Sequence, residues 1–106
     1  MEEEKSRLEQ FKEFVEMEPE DTFCRYALAM EYMGAEQYDE AVHHFTEVIR
    51  LDSGYSAAYF QAGLASQRAG NIEQAKKFLR DGIETASKKG DWHTRDEMTA
   101  ALDQLE

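Results

Sequence analysis

The sequence predicts an all-α protein built from antiparallel helix pairs, and three observations carry that expectation. Two stretches repeat each other at an offset of 34 residues, helical periodicity runs almost end to end, and strand-like alternation occurs nowhere. In the repeat, Tyr38-Asp39-Glu40-Ala41 falls on Ile72-Glu73-Gln74-Ala75. At the same shift Thr22 meets Ser56, Tyr26 meets Phe60, Ala29 meets Gly63 and Met30 meets Leu64. Phe45 meets Leu79 and Ile49 meets Ile83, so small aligns with small and large apolar with large apolar. A period of about 34 residues is the length of a helix-turn-helix solenoid unit. Such units present surfaces to other molecules and rarely carry chemistry.

Each helix follows from its apolar spacing and its ends. Leu8, Phe11, Phe14 and Val15 form the stripe of a first helix, which Pro19 ends. Phe23, Tyr26, Ala27, Leu28, Met30 and Tyr32 belong to a second, closing near Gly34. A third runs through Tyr38, Ala41, Val42, Phe45, Val48 and Ile49. Asp52 or Ser53 is expected to cap a fourth, built on Ala58, Tyr59, Ala62, Gly63 and Ala65 and stopped by Gly70. Ile72, Ala75, Leu79, Gly82 and Ile83 make the fifth, ending before Gly90. In the sixth, Met98, Ala101, Leu102 and Leu105 share a face, and Thr94 with Glu97 has the spacing of a capping box.

Composition narrows the class further. With 106 residues, 42% hydrophobic, the chain is expected to form one domain with a modest core. No apolar run approaches the ~20 residues of a membrane span. Met1-Glu2-Glu3-Glu4-Lys5 is acidic and lacks the character of a secretory signal. Cys24 is the one cysteine, which favours a reducing cytoplasm and a small buried hydrophobe over a disulfide. Net charge is −11, and residues 1 to 21 hold nine acids against three bases. That field opposes nucleic acid and anionic membrane surfaces, and favours neutral apolar or basic partners.

These residues resemble the tetratricopeptide repeat (TPR) family, which pairs antiparallel helices around small residues at the crossings. Leu28, Ala29, Tyr32, Tyr38, Ala41 and Phe45 fit its pattern in one unit, and Tyr59, Ala62, Gly63, Ile72, Ala75 and Leu79 in the next. Arg25 stands where the family usually has a large aromatic, and Ser53 and Ser87 stand at its usual proline positions. Shifted backward by the same offset, Phe11 aligns with Phe45, Phe14 with Val48, Val15 with Ile49 and Met17 with Leu51. The first helix therefore reads as the second half of an earlier unit. The resemblance implies a right-handed superhelix of about six helices in a single TPR-like domain over 1–106. Its parts are a leading helix at 1–19, full repeats at 22–53 and 56–87, and a solubilising cap at 91–106.

The resemblance also implies a concave face lined by the first helix of each pair, where a peptide or partner helix lies. Transferred here, those positions are Phe23, Tyr26, Met30 and Met33, then Phe60, Gln61, Leu64, Gln67 and Arg68. The family's clamp for a C-terminal carboxylate uses Lys, Asn and Arg, whereas this chain has Tyr26, Met30, Phe60 and Leu64. An apolar, Met- and aromatic-rich groove remains, suited to adaptable contacts. The expected role is a non-catalytic interaction module with a protein or peptide partner, no cofactor and no metal. The alternative is a structural protein whose groove is a homodimer interface.

Other chemistry is thinly represented. His43 and His44 with Glu40 and Glu47 invite a metal reading, but one helix face offers too few converging ligands. No Ser/His/Asp set, phosphate-binding glycine loop or cysteine pair is visible. Lys76, Lys77 and Arg80 are expected on a solvated face, with Glu73 bridging to Lys77. Trp92 is expected to plug the space between the fifth and sixth helices, the alternative being an exposed anchor at an interface.

Overall fold

The computed structural model describes residues 4–106; Met1, Glu2 and Glu3, part of the acidic N-terminal stretch, lie outside the described residues. Six helices follow in order: α1 (Arg7–Met17), α2 (Thr22–Gly34), α3 (Tyr38–Leu51), α4 (Ser56–Arg68), α5 (Ile72–Lys89) and α6 (Trp92–Leu105). Each packs chiefly on its chain neighbours, so the molecule is a run of stacked hairpins with extents of 51 × 27 × 19 Å.

Small residues set the spacing of the stack. Ala29, Ala41, Ala58, Ala62, Ala65 and Ala75 are fully buried, and the large side chains of Phe45, Val48, Leu79 and Met98 fill the gaps between them. Two clusters share Ile49 and Phe78 along their border, one centred on α2 to α4 and one on α4 to α6. The core is therefore continuous along the stack, which a unit unable to bury its faces alone requires.

The helix ends differ in places from the sequence expectation. α4 begins at Ser56, and its N-cap position, Tyr55, makes no side-chain cap bond. Asp52, expected to cap it, instead accepts from the Gly54 N–H at 3.0 Å and shapes the turn. In α6 the cap is Asp91, which accepts from Thr94 N–H at 3.4 Å, so no Thr94–Glu97 box forms. Glu97 pairs with His93 at 3.0 Å. Asp21 and Asn71 cap α2 and α5 through the N–H groups of Cys24 and Gln74. Gly90, at φ 72°, closes α5 in the left-handed conformation that glycine adopts without strain.

Trp92 is not the plug between α5 and α6. Its ring is half exposed, with the Arg95 guanidinium 4.7 Å from its centroid. Met98 takes that role, fully buried against Gly82. The basic residues of α5 also pair otherwise than expected: Lys76 with Glu73 at 3.8 Å, Lys77 with Asp81 at 2.9 Å and Arg80 with Glu106 at 3.5 Å. Cys24 is half-buried rather than a core residue; burial first, then nearby Asp21, pushes its thiol pKa up.

Candidate functional site

The nine residues expected on the concave face lie on two helices, and their exposure separates them. On α2, positions 23, 26, 30 and 33 recur at helical spacing and share one stripe. Phe23, in the first turn, is 72% exposed, and Met30 is 37% exposed. Tyr26 is half-buried: its ring meets Phe45 edge-on at 5.6 Å and lies tilted on Tyr55 at 5.1 Å. Burial, then Tyr55, pushes the Tyr26 phenol pKa up, so it stays neutral. Met33 departs from the expectation. It is 7% exposed and belongs to the core, because the stripe turns inward toward the end of α2.

On α4, Phe60, Gln61 and Leu64 are half-buried, while Gln67 and Arg68 are exposed. Phe60 leans on the cluster of Tyr59, Leu79 and Met98, and Leu64 on the cluster around Ala62 and Ala65. Arg68 lies 6.0 Å from the centroid of Tyr38. α2 and α4 do not pack side by side; α3 packs on both, and Tyr55 at the α4 N-cap reaches Tyr26. Of the expected set, then, Phe23 and Met30 offer open apolar surface, Tyr26, Phe60 and Leu64 offer partial surface, and Met33 offers almost none.

Electrostatically the stripe is bare: Tyr26, Met30, Phe60 and Leu64 carry no fixed charge, and Arg68 is engaged with Tyr38 at the far end of α4. Elsewhere the surface carries shallow, open hollows bordered mainly by charged and polar residues. One of about 450 Å³ is bordered by Ser53, Gly54, Tyr59 and the Asp81, Glu84, Lys88 and Lys89 side of α5. Another, of about 340 Å³, is bordered by Glu36 to Glu40 and Ala69. Among the described residues no group of three or more His, Cys, Asp or Glu side chains is placed to hold a metal. No helix among them is long and apolar enough to cross a membrane.

Sequence reasoning missed a cluster at the α2–α3 crossing. The His44 ring stacks parallel on Tyr32, with centroids 5.2 Å apart and planes 3° apart. The Arg25 guanidinium lies 3.2 Å from His44 Nδ1 and also donates to the Pro19 carbonyl at 3.3 Å. Lys12 sits 5.7 Å from the Tyr32 centroid. Burial first, then His43 and Arg25, lowers the His44 pKa to about 4. A guanidinium only donates, so Nδ1 accepts and the proton of neutral His44 is on Nε2. Arg25 thereby fills the place of an aromatic by its length, although its Nε finds no partner. The signal available in the sequence was Arg25 at an aromatic position, 19 residues before a histidine.

Residues 32–94 match the tetratricopeptide repeat family. A TPR repeat-containing protein of Pseudomonas aeruginosa is 30% identical over 87 residues, which cover 82% of this chain and 83% of the relative. A solved protein of Bordetella parapertussis superposes with a TM-score of 0.84 at 24% identity, over 96% of this chain and 89% of that one. PcrH, solved in complex with the chaperone binding region of PopD, shares the fold with a TM-score of 0.88 at 13% identity, over 92% of this chain and 74% of that one.

Proposed function

This chain belongs to the tetratricopeptide repeat family, and from that premise we propose that it is a non-catalytic protein-interaction module. Its full units are the pairs α2–α3 and α4–α5, residues 22–53 and 56–87. The contact surface is the apolar stripe of α2 and α4, which takes an extended segment or helix of a partner protein. One observation carries this reading: Phe23 and Met30 remain open on the same stripe as Tyr26, with no charge to make that surface favourable in water. Exposed aromatics and methionines accept varied apolar side chains with little loss of fit. PcrH, of the same fold, binds a segment of another protein. The net charge of −11 favours a partner segment with basic residues flanking its apolar ones.

The decisive experiment separates the open residues from the supporting ones. Phe23→Glu/Met30→Glu is expected to keep the helical melt of the parent, because both side chains already face water. It is expected to abolish capture of partners from the native host extract. Leu64→Glu is expected to unfold the α2–α4 region, since Leu64 leans on the core. Partner capture undiminished by the Phe23/Met30 change would remove the stripe from consideration.

A further inference from the structure

In the repeat, α1 holds the place that α3 holds one unit later, with Phe11, Phe14 and Met17 aligned on Phe45, Val48 and Leu51. α3 is covered by α2 on one side and α4 on the other, and Val48 has no exposed surface. α1 packs substantially on α2 alone, so Phe14 remains 47% exposed and Met17 74% exposed. Phe11 meets Phe14 edge-on at 5.8 Å, which makes one apolar ridge running along the helix. The other end of the stack differs: α6 turns Asp96, Thr99 and Asp103 outward. Among the described residues, one end of the stack is polar apart from Trp92, and the other is an apolar helix face that no second helix covers.

Charge selects what covers it. Residues 4–12 hold Glu4 and Glu9 beside Lys5, Arg7 and Lys12, whereas residues 13–21 hold Glu13, Glu16, Glu18, Glu20 and Asp21 and no base. Lys5 and Arg7 are exposed and pair within the chain with Glu13 and Glu31. A helix with the same charge order lying antiparallel sets the bases of each beside the acids of the other and opposes the two macrodipoles. The acidic, polar outer face of α6 offers no such match. We propose that α1 is a self-association face on which two copies pair antiparallel about a two-fold axis near Phe14. Phe14 meets its counterpart, and Phe11 meets Met17 of the second copy. Arg7, paired with Glu31 at 2.7 Å in the single chain, exchanges that exposed contact for the acids after the second copy's α1. The contact is isologous, so it closes at two copies and does not propagate into a filament. It leaves Met30 and the α2–α4 stripe free.

The ridge is small beside the ~1,200 Å² at which stable specific interfaces begin, so the pair is reversible and concentration-dependent. Sedimentation velocity from about 10 μM to about 1 mM is expected to show a monomer passing to a dimer without higher species. Phe14→Glu/Met17→Glu is expected to raise the dimer Kd at least tenfold with the circular dichroism melt retained. Met30→Glu is expected to leave it unchanged. In a Cys24→Ser background, Phe14→Cys is expected to give a disulfide-linked dimer under mild oxidation, a readout independent of the double variant's folding. A monomer throughout the range, a dimer indifferent to the α1 changes, or one lost only with Met30→Glu would each overturn the proposal.

Discussion

His44 shows how a side chain that looks like a ligand becomes a packing element. Stacked on Tyr32 and accepting from Arg25, it has neutral chemistry imposed by burial, by His43 and by the nearby guanidinium. Glu40, 3.9 Å from Nε2, and Glu47 act in the opposite direction but do not prevail. The folded pKa of about 4 lies below the ordinary 6.5, so between these values the unfolded chain binds the extra proton. Stability is therefore unaffected by this group above pH 6.5, and falls as pH drops from 6.5 toward 4. Asn in its place keeps an acceptor for Arg25 and removes the titration. Between about pH 7.5 and 5.2 the parent is expected to lose roughly 1–2 kcal/mol more than His44→Asn. Urea melts across that range check it; equal losses would mean that His44 is not held neutral.

At the scale of elements, the two buried helix glycines are not equivalent. A Cβ at Gly63 would stand 2.9 Å from Leu79 Cδ2, the end of a flexible side chain. A Cβ at Gly82 would run into Tyr59 Cβ, rooted in the α4 backbone, as well as Met98 Sδ. Alanine gains about 1 kcal/mol of helix propensity at either site. Gly63→Ala is accordingly expected near neutral in thermal melts, and Gly82→Ala destabilised by roughly 1–3 kcal/mol through overpacking at the α4–α5–α6 junction. Equal stability of the two would contradict the close approach at Gly82. The fold was legible in the sequence because Ala29, Ala41, Gly63 and Ala75 repeat at one offset and end up at the buried crossings. What was not legible lay where local chemistry had two uses. Asp52 serves a turn instead of a cap, and Asp91 outcompetes Thr94 at the start of α6. Trp92 turns outward because Met98, on the apolar face of α6, already fills the space above Gly82, and spacing alone does not say which of the two large side chains takes it. The stripe on α2 was readable by spacing, but spacing alone does not tell the open Met30 from the buried Met33 one turn later.

The whole molecule is an acidic stack with a nearly charge-free stripe on α2 and α4, and if that stripe is the proposed contact surface, the combination constrains the ligand end groups it accepts. Carboxylate recognition relies on Lys or Arg donors held in place, and charge-assisted bonds to them are the strong ones. Along the stripe, Tyr26, Met30, Phe60 and Leu64 provide no such donor, while Lys76, Lys77 and Arg80 on α5 are already paired with Glu73, Asp81 and Glu106. Setting a carboxylate against apolar side chains without a partner costs more than leaving it in water. The overall −11 charge adds a long-range repulsion of the same sign. Partner peptides ending in a free acid are therefore expected to bind no better than their amides, and the small difference to shrink as salt is raised. Titration calorimetry on matched pairs at two ionic strengths measures both. A tenfold preference for the free acid would require a fixed cation on the stripe, and with it a binding surface other than the one formed by Phe23, Met30 and their neighbours.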